Sequence, residues 1–385
     1  MNRRGVLLRR FFSIGVTGLL TLCGGVLVDA RPLNSELSDV DPLFAPLQDR
    51  QAPPVDARNV EQIELGKMLF FDTRLSGDAS ISCASCHDPE QGWSFADELS
   101  RGYPGTANWR NSPTIVNAVF LRRFFWTGHA PTLEAQAKAA GMGAIEMHGT
   151  PGLVELRLAA IPEYRERFAR AFGGEIPKSD DVWRAIAAFE RTLTQTDTPF
   201  DRFLRGDRTA LDESQVRGFS LFKGKAGCAR CHHGPLLTDE QFHNTGVPAS
   251  TRWRTDTLAR ISFNFMQAEL GEAKAGLSDD AGLFLFSKRR EDLGKFRTAP
   301  LRYTKYTAPY MHNGSLADLR QVVEFYNGGG DVNPFNDNKD VKMSRLNLSD
   351  SEIADLVDFL ESLSGDEVRV TKPRLPSYPA RPVDD

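Results

Sequence analysis

Val182, Ile186, Phe189 and Leu193 recur at intervals of three and four, the spacing that gathers side chains onto one face of an α-helix. The pattern returns in Ile353, Leu356, Val357, Leu360 and Leu363. Ahead of this second run, Ser349-Asp350-Ser351-Glu352 has the capping-box form, and Gly365 stands where the helix should stop. A weaker repeat pairs Gly66-x-x-Leu69-Phe70 with Gly218-x-x-Leu221-Phe222, and each copy predicts a helix. Strand patterning is scarce, so the chain reads as all-α with long loops. From Arg369 onward, Pro373, Pro376, Pro379 and Pro382 predict an extended tail.

One apolar stretch has another character. Phe11 to Val28 is 18 residues long without a charge; it follows Arg3, Arg4, Arg9 and Arg10 and runs into Val28-Asp29-Ala30. That is the layout of an export signal with a small-residue cleavage site, and an uncleaved membrane anchor is the alternative reading. The rest of the 385-residue chain is long enough for two domains, each with its own core. Removing residues 1–30 takes four arginines and one aspartate, which leaves 43 basic against 50 acidic residues, a net charge of −7. Such a balance argues against a nucleic-acid groove and suits a basic redox partner.

Chemistry enters with the cysteines. Of five, Cys23 lies in the signal, and Cys83, Cys86, Cys228 and Cys231 fill two copies of C-x-x-C-H ending at His87 and His232. This is the c-type haem attachment pattern: two thioethers fix the porphyrin edge and the adjacent imidazole binds the iron. At this composition chance supplies on the order of 0.001 copies. A zinc site would need all four cysteines to converge, and a redox dithiol would leave both histidines unexplained. An exported chain is free to form disulfides, yet no cysteine is left over for one. Two covalently bound haems c are therefore expected.

Three stretches carry a resemblance. LGKMLFFDTRLS, RNSPTIVNAVF with FFWTG, and DLGKFRTAPLRYTKYTAPYMHNGSL are similar to segments of the bacterial di-haem cytochrome c peroxidases and their MauG-type relatives, from about Leu65 to Gly365. The resemblance implies that His87 is the proximal ligand of the peroxide-reacting haem and that Trp126 lies between the two haems. It makes Gln136 and Glu146 the distal-pocket pair. A carboxylate suits that place, because a base must take a proton from one peroxide oxygen and return it to the departing one. The resemblance also gives Asn111, Thr307 and Pro309 to a calcium ion between the haems, a hard cation that prefers oxygen ligands.

Departures from the family pattern refine the expectation. Many members keep a distal histidine on the first iron, but no histidine lies between His87 and Trp126. Tyr103 is the alternative visitor to an otherwise open or water-bound position. At the second haem, held by His232, the position fourteen residues after His312 supplies the other ligand. It is methionine in peroxidases fed by small cytochromes, and Tyr326 here, as in the MauG-type members. A phenolate favours oxidised iron where a thioether favours ferrous. Met311 or Met343 is the alternative ligand. Ala140 replaces a common distal-pocket proline, and Thr127-Gly128-His129 replaces Asp-Gly-Arg. His129, His148, His233 and His243 are assigned to structural or surface roles.

The expected architecture is two cytochrome c-like domains, 56–200 and 201–368, with their junction near Thr198-Pro199. A signal peptide (1–30) and an extension (31–55) precede them, and a proline-rich tail (369–385) follows. The expected function is a periplasmic oxidoreductase that uses hydrogen peroxide to oxidise a partner protein, with no membrane span once the signal is removed. The rivals are a peroxidase with a small redox-protein donor and a haem electron carrier without turnover.

Overall fold

The computed structural model describes residues 42–48, 57–271 and 277–379. The expected signal peptide and most of the expected extension lie outside them. Helix and loop dominate, as the apolar spacing predicts. In the first half α1 (Ala57–Phe70) is followed after a long loop by α2 (Leu133–Met142), α3 (Pro151–Ala159), α4 (Pro162–Phe172) and α5 (Ser179–Glu190). The second half holds α6 (Pro199–Leu204), α7 (Glu213–Lys223), α8 (Arg252–Thr255), α9 (Thr257–Glu269), α10 (Phe284–Ser287), α11 (Leu319–Asn327) and α12 (Asp350–Ser362). Two-residue strands form two small antiparallel ribbons: β1 (Arg101–Gly102) with β2 (Thr106–Ala107), and β3 (Phe242–His243) with β4 (Phe296–Arg297). Among the described residues no helix is long and apolar enough to cross a membrane.

The capping box of α12 forms as its sequence predicts, Ser349 receiving the Glu352 N–H while the Glu352 carboxylate takes that of Ser349. α5 stops at Glu190, three residues before Leu193, which is nonetheless buried in the same core. Both runs bury their apolar faces, and the weak repeat explains against what. α1 crosses α5 so closely that a Cβ on Gly66 would lie 1.8 Å from the Ala185 carbonyl oxygen. α7 crosses α12 in the same way, a Cβ on Gly218 falling 2.0 Å from the Asp355 carbonyl. Each glycine thus lets two backbones touch, and the phenylalanine four residues on enters a core. Phe70 packs on Phe189 at 5.4 Å between ring centres, and Phe222 on Phe359 at 5.1 Å. Such edge-on aromatic pairs add to the stabilisation from their buried area.

The two ends of the described chain cross over. Residues 42–48 pack on the second half: Phe44 sits edge-on to Phe200 and Phe219, and the Leu47 N–H donates to Asp201 Oδ1 at 2.9 Å. Asp201, fully buried, also takes Thr198 Oγ1 at 2.6 Å and Arg302 Nη1 at 2.5 Å. Thr198-Pro199 is thus the capped start of α6. Residues 369–379 form neither helix nor strand, and the chain here is docked on the first half. Trp93 Nε1 donates to the Val368 carbonyl at 2.7 Å, the Val368 N–H to the Tyr303 hydroxyl at 2.8 Å, and Arg74 Nη1 to the Pro376 carbonyl at 2.8 Å.

Candidate active site

Each C-x-x-C-H motif folds locally into a single 3₁₀ turn, Cys83–Ser85 and Cys228–Arg230. In both, the histidine N–H returns to the first cysteine carbonyl at 2.9 Å and the second cysteine N–H to the same oxygen at 3.1 Å. The imidazoles are set alike: His87 Nδ1 donates to the Trp93 carbonyl at 3.2 Å and His232 Nδ1 to the Leu237 carbonyl at 3.0 Å. A carbonyl only accepts, so each ring carries its proton on Nδ1 and keeps Nε2 as a ligating lone pair. Burial lowers both histidines below their ordinary range, which keeps them neutral.

Both motifs open onto one cavity of about 570 Å³. Its wall brings together every residue expected at the site: Cys83, Cys86 and His87; Cys228, Cys231 and His232; Trp126, Gln136 and Glu146; Tyr326; and Asn111, Thr307 and Pro309. The donor set fits haem c, with paired thiols and a tautomer-fixed imidazole at each end and no disulfide among the four described cysteines. Gln136 comes from α2. Glu146 follows it in a turn closed by its N–H on the Gly143 carbonyl at 3.1 Å. Burial pushes the Glu146 carboxyl up to about 7, while Arg110 and an Asn108 hydrogen bond pull it back. It can therefore hold or release a proton near neutrality.

Trp126 joins the two halves. Its Nε1 donates to the Asn111 carbonyl at 2.8 Å, and its own carbonyl takes the Arg297 N–H at 2.8 Å. Asn111 spends its side-chain NH₂ on the Phe95 and Asp97 carbonyls, which turns its oxygen to other use. Tyr326, in the last turn of α11, is hydrogen-bonded with Thr245 and pushed up to about 12, chiefly by burial and then by Cys228 and Cys231. Met311 and Met343 border the same cavity. Tyr103 is elsewhere: it stacks on His148 at 4.8 Å between ring centres and packs against the first core.

Residues 60–209 match the family model described as di-haem cytochrome c peroxidase. Over 352 residues the chain is 43% identical to cytochrome-c peroxidase IdrP1 of Denitromonas iodatirespirans, covering 89% of this chain and 92% of that protein. The chain belongs to the di-haem cytochrome c peroxidase and MauG family. Within it, this di-haem peroxidase is 34% identical over 363 residues to the methylamine utilization protein MauG of Methylorubrum extorquens, covering 94% and 95% of the two chains. Among solved structures, a MauG-like protein associated with microbial copper homeostasis superposes with a TM-score of 0.69 at 28% identity, covering 86% and 96%. The protein is thus a haem enzyme, a peroxidase-type di-haem oxidoreductase.

Some neighbours of the di-haem site carry no sequence signal. Arg110 forms a buried ion pair with Asp280, 2.6 Å, and lies over the Trp109 ring at 3.9 Å. His243 is held by Asp340 at 2.5 Å and lies 3.8 Å from the Cys231 sulfur. His129, exposed, is stacked between Phe125 and Phe286. His312 stacks on Phe296 at 3.7 Å, its Nε2 buried without a partner at the cavity wall. The Arg110–Asp280, His243–Asp340 and His243–Cys231 pairs span 170, 97 and 12 residues, so no local spacing betrays them.

Proposed function

We propose that this protein is exported to the periplasm, divides into cytochrome c-like domains at 56–200 and 201–368, and uses hydrogen peroxide to oxidise a partner protein. One haem c would be attached through Cys83 and Cys86 with His87 on its iron, the other through Cys228 and Cys231 with His232 and Tyr326. Bound there, the haems would supply the redox chemistry, two irons that exchange electrons with each other and with peroxide. Glu146 takes a proton from one peroxide oxygen and returns it to the other, so that water departs, and Gln136 orients the molecule beside it. Trp126, bonded to backbone from both halves, is the oxidisable bridge. Asn111, Thr307 and Pro309 offer oxygens to a calcium ion.

The observation that carries this reading is the place of Tyr326, on the cavity wall with Cys228, Cys231 and His232. Phenolate ligation favours oxidised iron, which suits storing oxidising equivalents over receiving electrons from a high-potential carrier. The test is Tyr326→Met, which should raise the second haem's potential and change its spectrum. Met311→Leu and Met343→Leu should leave both unaltered. Fully oxidised wild type should also react with peroxide without prior reduction. A requirement for a reducing electron, with the Tyr326→Met spectrum unchanged, would hand the assignment to the second reading: peroxide removal with a small electron-donor protein. The name of the relative at 43% identity favours that reading.

A further inference from the structure

Glu190 ends α5 with its carboxyl inside the protein. The residue is 4% exposed, it borders the same cavity, and its Oε2 is buried without a hydrogen-bond partner. The adjacent guanidinium offsets its charge only in part, since Arg191 is paired with Glu134 at 2.6 Å. Cys83 packs against the core that holds Phe189 and Leu193, its neighbours in the chain, which assigns Glu190 to the first-haem end. The wall nearby is apolar: Ala187, one turn back, packs with Ala118 and Leu133. A carboxylate so placed has lost water and is only partly offset by Arg191, and holding a proton is the remedy. Burial accordingly pushes Glu190 up to about 8, Arg191 opposing and Glu134 adding to the rise.

We propose that Glu190 is a redox-linked proton store: in alkaline solution, where it is ionised in the oxidised protein, it takes one proton from solvent when the iron held by His87 gains an electron, and gives it back on reoxidation. The proposal rests on the reading of a haem at Cys83, Cys86 and His87. The step balances, because one electron from an external one-electron donor and one proton from water enter together. The carboxylate becomes a carboxylic acid, and the net charge of the cavity is unchanged. Coupling follows from low dielectric, since a negative charge added to a dry cavity favours the neutral form of a nearby acid, and the influence is reciprocal. The helices packed on α5 carry Glu61, Glu64 and Lys67 on α1, Glu134 and Lys138 on α2, and Glu155 and Arg157 on α3. Among these, only Glu134 bears on Glu190. Lys138 is paired with Asp180, while Glu155 and Arg157 are bonded to backbone. Glu146 is a second acid in the cavity, felt at Cys86.

The experiment is a potentiometric titration of the holoprotein, read by haem absorbance across a pH series, on wild type, Glu190→Gln, Glu190→Asp and Glu146→Gln. The first-haem potential of wild type should fall with pH above about 8, approaching ~59 mV per unit, the one-electron equivalent of a tenfold change. Glu190→Gln should lose that limb and keep both haems, Glu190→Asp should restore it, and Glu146→Gln should retain it. Redox-difference infrared spectra should show a protonated-carboxyl band in wild type that Glu190→Gln lacks. With both haems attached, a Glu190→Gln profile and infrared spectrum equal to wild type would overturn the proposal alone. A mature protein with no haem on Cys83 and Cys86 would instead overturn the reading beneath it.

Discussion

Glu146 shows how much one side chain's surroundings decide. With its carboxyl near 7, it is mostly protonated below that pH and unable to accept, and mostly ionised above it. The rate of reaction with peroxide should therefore rise through about pH 7 and level off. Glu146→Gln should flatten this profile and slow the reaction by about 100-fold or more, the usual worth of a placed acid–base group; stopped-flow haem spectra would measure both. Trp126→Phe should leave both haems attached while the second responds slowly to peroxide attacking the first, since phenylalanine is not readily oxidised. Equal two-haem responses in that variant would reduce Trp126 to packing. What was legible at this scale is what is local or family-spaced: the C-x-x-C-H turns, and Tyr326 counted from His312. Glu190 and the Arg110–Asp280 pair were illegible because a lone carboxylate on a helix looks solvated until the cavity beside it is known.

At the scale of elements, the apolar runs at helical spacing foretold α5 and α12, and the Gly-x-x-Leu-Phe repeat foretold a kinship between α1 and α7. The spacing could not say that Phe359, outside the apolar face it predicted for α12, is the fully buried centre around which Phe200, Phe219 and Phe222 gather. Nor could it say what the repeat's glycines face, because a backbone contact between helices leaves no pattern in either. The consequence is testable. Gly66→Ala and Gly218→Ala each put a methyl where a carbonyl oxygen already stands. Both should lower stability by about 1–3 kcal/mol, the range for overpacking a close contact. Denaturant midpoints would measure this, and a neutral result at either site would mean that its helix pair can separate at no cost.

For the whole molecule, the proline pattern predicted extended chain and was silent about its destination. Proline fixes φ and withholds a donor but does not choose an acceptor. Here the tail's carbonyls take Trp93 and Arg74, and Val368, Val370 and Leu375 pack on the first core. Deleting residues 366–385 should therefore destabilise the first half although the cut lies after α12. Hydrogen exchange should show lost protection around Trp93 and α1, with that of α7 and α12 largely kept. Loss confined to α12 would contradict it.

The crossed ends also impose an order in time. Residues 42–48 are made early, yet their partners Asp201, Phe219 and Gly234 come far later in the chain. The half made first is completed by Val368 to Pro376, made only after α12. The first half cannot close over its own C-x-x-C-H turn without Val368, Val370 and Leu375, so Cys83 and Cys86 stay accessible to whatever attaches haem until those residues are in place. A chain arrested before Asp366 should accept haem at both turns and remain cleavable by protease near Trp93, whereas the full-length chain should resist.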